Sequence, residues 1–239
     1  DTGAKKHGTV EKNVVLAFSK ELRRQLRAAG NYKILMTRET DRFVTLSNRR
    51  RFAERHNAQL FIAVHADYAT RTSANGATIY SLRGRVASRL RRRAKTKTAS
   101  KALTRKELGY VRKIRRMKHL RRVSNEARAV QSFLTDLAAR DVDTTHRRTN
   151  LFSKTVIKTM GSTTRLRGKP HRTAAFHVLK TAKVPSVLIE LAYVSNRRDA
   201  KRLKSRSWRR KVASSIRQAI DNYFAKDSDT GGLRTSFNR

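Results

Sequence analysis

Cysteine is absent from the 239 residues, which excludes disulfides, thiolate metal sites and cysteine nucleophiles and leaves the redox compartment open. Acids are scarce: 17 Asp and Glu stand against 58 Lys and Arg, for a formal net charge of +41. No apolar run approaches the roughly 18 residues of a membrane span, so the sequence predicts no transmembrane segment. Aromatic residues are 7% of the chain, and Tyr110 alone interleaves with its most basic block, which argues against a stacking surface for nucleic acid. No basic-then-apolar leader stands at the start. The chain opens on Asp1 without a methionine, and the expectation is that residues upstream have been removed or left out.

The length fits one domain with a real core. A charge of this size makes the chain adhere to polyanions, whether nucleic acid, anionic lipid or an anionic wall polymer. It is unevenly spread: residues 83–122 hold 18 Lys and Arg and one acid, Glu107.

Apolar spacing gives helices and strands in alternation. Val10, Val14, Val15, Phe18, Leu22 and Leu26 recur at three- and four-residue intervals, which predicts a helix capped by Thr9 and stopped by Gly30. A strand is expected at "YKILMT" (32–37), then a helix through about Asn57, and strands at "QLFIAVHA" (59–66) and "ATIYSL" (77–82). Residues 83–170 read as helix-like and strand-poor, with a helix at 123–140. Strands return at "AAFHVLK" (174–180) and "PSVLIELA" (185–192), a helix closes the chain over 207–224, and the polar residues 227–239 read as a disordered tail. This order predicts an α/β sheet flanked by helices, with a long helical insertion.

Three residues stand where such folds place chemistry: Glu11 in the first turn of the first helix, His65 at the end of an apolar strand, and Glu190 at the end of "PSVLIE". Each has a plain structural reading as well. An acid suits any helix start, a histidine can close a strand, and Glu190 can pair with one of many arginines. Taken together they suit zinc, which accepts imidazole and carboxylate and activates water beside a glutamate base.

The stretches "DTGA", "GTVEKNVVLAF", "TRETDRFVTLSNRRRFA", "LFIAVHAD", "NGATIYSL" and "FHVLKTAKVPSVLIELAYVSNRRD" resemble, in order and spacing, the zinc-dependent N-acetylmuramoyl-L-alanine amidases of the Amidase_3 type, which serve bacterial cell separation. The resemblance implies a mixed, mainly parallel sheet, with Glu11 and His65 as metal ligands and Glu190 as the catalytic base. It implies hydrolysis of the bond between N-acetylmuramic acid and L-alanine in peptidoglycan, and a periplasmic or cell-envelope location. The family's other histidine ligand belongs to a first strand that would precede Asp1. The chain is therefore expected to lack that strand, to hold two of three ligands and to bind zinc poorly. His7 is a local stand-in only if its loop bends onto the metal; His56, His119, His146, His171 and His177 have no ligand counterpart. A catalytically inactive wall-binding relative and a polyanion-binding protein are the competing readings.

The same resemblance divides the chain into one catalytic domain, 1–226, with its core in 1–82 and 171–226. The insertion, 83–170, would carry an autoinhibitory helix at 123–140 or beside it, displaced by an activator protein. Its basic block has two explanations: a polybasic segment that binds wall, membrane or nucleic acid, or a local reading-frame slip that turned an acidic helix into Arg/Lys-rich sequence.

Overall fold

The computed structural model describes residues 2–71, 73–101 and 121–229. A short hairpin, β1 (Lys5–Lys6) and β2 (Thr9–Val10), leads into helices α1 (Glu11–Ala28) and α2 (Leu46–Arg55). Strands β3 (Phe61–Asp67) and β4 (Ala77–Leu82) follow, then helices α3 (Gly84–Lys101) and α4 (Arg121–Gly161). Strand β5 (Leu166–Ala174), a 3-10 turn (His177–Leu179), β6 (Ser186–Tyr193), α5 (Arg197–Lys204) and α6 (Arg206–Asp229) complete the chain.

The sheet has the order β3-β6-β4-β5, with β3/β6 and β4/β5 parallel and β4/β6 antiparallel. It is the mixed, mainly parallel sheet expected. Strand β6 is buried on both faces along its whole length, as an unbroken apolar run demands. One face packs on α1, α4 and α6 through Phe18, Phe152, Val156, Met160, Ile216 and Tyr223. The other buries Ala63, Leu82 and Leu188 against Val178 and Leu179 of the 3-10 turn and the start of α3.

Several elements differ from the sequence reading. Residues 32–37 form no strand; no neighbour offers a ladder among the described residues, and Tyr32 and Ile34 pack on the core instead. Thr9 does not cap α1: the N-cap is Val10, and the Thr9 hydroxyl donates to the Ala200 carbonyl. The strand expected at 174–180 stands earlier, as β5, and Val178 and Leu179 are both buried because a tight turn can bury consecutive residues. The boundary expected at 170 therefore falls inside a strand, and Phe152, Val156 and Met160 of the supposed insertion belong to the main core. The end of α6 extends into the expected tail; residues 230–239 and 102–120, the middle of the basic block, lie outside the described residues.

Helices α3 and α4 run antiparallel, joined by Lys95–Asp136 at 2.9 Å and Arg91–Asp143 at 3.2 Å. Thr145 and Thr149 of α4 bond to Ala182 and to the amide of Ser186, at the start of β6. The part of α4 before them, including 129–140, thus projects beyond the end of β6 opposite to Glu190.

Helix α2 is held by a side-chain cap, Thr45 accepting from the amide of Asn48 at 3.2 Å. Replacing Thr45 by Ala should cost about 1 kcal/mol. A thermal melt should show this as a fall of roughly 2–4 °C; an unchanged midpoint would mean that tertiary packing alone fixes this helix end.

Candidate active site

The parallel register of β3 and β6 sets His65 directly beside Glu190, and the antiparallel register of β6 and β4 sets Thr78 on Glu190's other side. Side chains in register share a face, so one row across three strands carries His65, Glu190 and Thr78. Glu11 reaches that row from the start of α1. Its Oε1 lies 3.0 Å from His65 Nδ1 and accepts from the amide of Ala66 at 3.3 Å, while Oε2 accepts from the amide of Ala4 at 2.9 Å. Residues 54 apart in sequence are thereby joined. Gly3 makes the approach possible: a Cβ there would lie 2.4 Å from Glu11 Oε2.

The two glutamates sit in opposite electrostatic settings. Burial alone would push the Glu11 carboxyl up, but hydrogen bonds from His65 and the Ala4 amide outweigh it and hold the group below the usual range. Glu190 has no such help. It is 7% exposed, and its Oε2 has no hydrogen-bond partner. Burial, then the charges of Asp67 and Glu11, push it well above the ordinary value. The Thr78 hydroxyl beside it is likewise buried without a partner. A buried carboxylate oxygen left open is costly unless a reacting group completes it.

A small network closes this end of the sheet. Past a register shift in β3, Asp67 accepts from the amide of Tyr68 at 2.7 Å and from the Tyr193 hydroxyl, which in turn accepts from Arg167. Asp199, with a side chain 1% exposed, accepts from the amides of Gly76 at 2.8 Å and Tyr193 at 3.1 Å and from Arg202 at 3.1 Å. Arg49 of α2 is half-buried and feels the charge of Glu11.

All three residues expected from the sequence meet here: Glu11 touches His65, and Glu190 is its neighbour in register. His7 does not join them. Its ring contacts the Ser195 carbonyl at 3.2 Å. His171 bonds to the Ser81 hydroxyl, His56 to the Phe52 carbonyl and His146 to Asn150, while His119 lies outside the described residues. Sequence reasoning missed Asp199, Thr78 and Arg49. A buried Asp in "SNRRDA" and one arginine among 58 basic residues carry no local signal.

As for a metal, no group of three His, Cys, Asp or Glu comes together among the described residues in a metal-holding arrangement. The imidazole of His65 and the carboxylate of Glu11 are a donor pair that zinc accepts, and the open oxygen of Glu190 points to chemistry beside it. The residues present fit part of a zinc site.

The family model described as N-acetylmuramoyl-L-alanine amidase matches residues 1–222. Among curated relatives, AmiA of Escherichia coli strain K12, named an N-acetylmuramoyl-L-alanine amidase, is 32% identical over 225 residues, covering 94% of this chain and 72% of that protein. The similarly named AmiC of Escherichia coli O6:H1 is 31% identical over 228 residues, covering 94% of this chain and 50% of that one. The chain thus spans about half to three quarters of the length of these relatives. In structure it resembles the amidase AmiC2 of Nostoc punctiforme, with a TM-score of 0.60 at 24% identity over 94% of this chain and 91% of that one, which is a likeness of fold.

Proposed function

Because this chain belongs to the N-acetylmuramoyl-L-alanine amidase family, we propose that it hydrolyses the amide between N-acetylmuramic acid and the L-alanine of the peptidoglycan stem, in remodelling of the cell wall and daughter-cell separation. The observation that carries this reading is the buried, open carboxylate of Glu190 in register beside the Glu11–His65 pair.

We assign Glu11 and His65 as zinc ligands. When bound, zinc supplies Lewis acidity to the scissile carbonyl and the attacking water. Glu190 removes the proton from that water at Oε2 and returns it to the departing amide nitrogen. A carboxyl raised above its ordinary value is better matched to both halves of that task. Burial of Glu190 between two strands fixes the direction of its free oxygen. Thr78 supplies a hydroxyl that can donate to the same carboxylate or to the substrate. The half-buried Arg49 keeps a positive charge close to the anionic ligand Glu11.

The substrate places the enzyme in the cell envelope. Among the described residues no helix is long and apolar enough to cross a membrane. Control by an activator protein acting on the insertion is a separate proposal. Its test cannot be removal of 83–170, because that deletion takes core side chains and most of β5 with it.

The decisive experiment incubates the full chain with purified peptidoglycan and zinc, and counts newly exposed L-alanine amines. Release should stop on chelation and return with zinc, and His65→Ala should abolish it and the zinc content together. Zinc uptake with no amine release would instead favour an inactive wall-binding relative. Binding to duplex DNA at physiological salt with none to peptidoglycan would overturn the wall reading.

A further inference from the structure

Two depressions flank the end of the sheet where Glu190 lies, of about 440 Å³ and about 650 Å³, and both are lined by Asn75 and Arg165. They form one groove. Tyr193, which closes β6 three residues beyond Glu190, holds the Arg167 guanidinium over its ring at 5.4 Å. Gly76 stands two residues before Thr78, the partner of Glu190 across β4. The groove therefore lies toward the same end of the sheet as the proposed active site, although Glu11, His65, Thr78 and Glu190 do not line it.

Its wall is cationic. Arg165, Arg197 and Arg198 line it, and none has a carboxylate partner among the described residues. The acid in the lining, Asp199, is fully occupied by two backbone amides and Arg202. Clefts lined by one sign of charge focus the field and collect counter-ions.

The position of Arg165 is built into the backbone. The amide of Ala77 donates to its carbonyl at 2.8 Å, and Gly76, at φ +87°, lets the two segments meet. A Cβ on Gly76 would stand 2.9 Å from the Arg165 carbonyl oxygen. Arg165 and Arg167 both line the depression of about 650 Å³.

We propose that this groove, centred on Arg165, is a carboxylate-binding subsite that holds the stem peptide on the leaving-group side of the scissile amide. The proposal rests on the amidase reading for its choice of ligand. Free carboxylates of the stem lie within a few residues of the cleaved bond, and an extended peptide advances about 3.3 Å per residue. Guanidinium forks match carboxylates in two parallel hydrogen bonds, which gives orientation as well as attraction.

A chain this basic binds anions everywhere, so the test must separate a site from a field. A soluble stem tetrapeptide with free carboxylates, and the same peptide with them amidated, are titrated calorimetrically into the full chain and two variants. Arg165→Ala removes the proposed contact; Arg55→Ala removes the same charge from the exposed end of α2. The free-acid peptide should bind about tenfold more weakly to Arg165→Ala, should bind Arg55→Ala as it binds the parent, and should lose most of its affinity when amidated. If Arg165→Ala fails to fold, Arg198→Ala, which is exposed, serves in its place. Equal losses in both variants, equal binding of the amidated peptide, or Arg165-dependent binding of an oligonucleotide with none of the peptide would each overturn the proposal. Binding is read without catalysis: intact Arg165-dependent binding with no amide cleavage counts against the amidase reading, and cleavage insensitive to Arg165 counts against the subsite.

Discussion

Replacing Glu190 by Gln should reduce amide hydrolysis by roughly 10²–10⁴-fold while leaving the fold intact. Gln keeps the shape and one carbonyl oxygen but cannot take a proton from water. The residues proposed to hold zinc are untouched, so zinc content should stay that of the parent. Stability adds an independent reading. The folded chain holds Glu190 above the ordinary value of 4.5 through burial and the charges of Asp67 and Glu11, so ionisation is easier in the unfolded chain. As pH rises above about 4.5 the unfolded state ionises freely and the folded state does not, and the parent loses stability until the raised folded value is passed. Gln has no such titration. In EDTA, the melting temperature of the variant should gain on the parent as pH rises above about 4.5. Parallel pH profiles would show that Glu190 is not held protonated by its surroundings.

The second large effect belongs to Asp199, far from Glu190 in chemistry but not in structure. Its Oδ2 ties the amide of Gly76, which precedes β4 and lies 123 residues away, to that of Tyr193 at the end of β6. Asp199→Ala would strand two backbone donors and free Arg202, a loss of about 3–5 kcal/mol. Arg202 is partly exposed and can turn to water, so the amides carry most of that cost. Asp199→Asn keeps an acceptor for both amides and should lose about 1–2 kcal/mol. Because the anchored strand ends flank Thr78 and Glu190, the Ala variant should lose turnover even at temperatures where it is folded. Denaturation curves in which Ala and Asn match the parent would refute the anchor.

The sequence made the buried strands and the first helix readable because their apolar spacing is regular. Val14, Phe18, Leu22 and Leu26 of α1 are buried as the period requires. Strand β4 falls on the expected residues, since "ATIYSL" is bounded by a turn and a charge. Strand β5 was hidden: "LRGKPHRTA" lies at the sheet edge, pairs through its backbone with β4, and needs no apolar face to do so. Helix α4 was legible only in pieces. Its middle, "DVDTTHRRTN", has no apolar stripe, yet Thr145 and Thr149 turn back onto the helix and the β6 loop. At the site, His65 and Glu190 announced themselves as charges ending apolar runs. Glu11 looked like an ordinary helix start, and its pairing with His65 came from resemblance. Asp199 and Gly76 were illegible because their meaning is a contact between distant segments.

Strand β3 lies at one margin of the sheet, with β6 as its ladder partner among the described residues. The opposite margin, β5, carries Pro170 and an exposed Lys169, both of which discourage pairing with a second molecule. By contrast, β3 offers a half-buried apolar run that ends on His65. In dilute buffer, mutual repulsion between molecules of charge +41 keeps these margins apart. Raising ionic strength to strip adhering polyanions shortens that repulsion to about 8 Å at physiological salt and about 3 Å at 1 M. The wash that cleans the protein also removes its colloidal protection, and the apolar run that ends on His65 is then no longer held away from a second molecule.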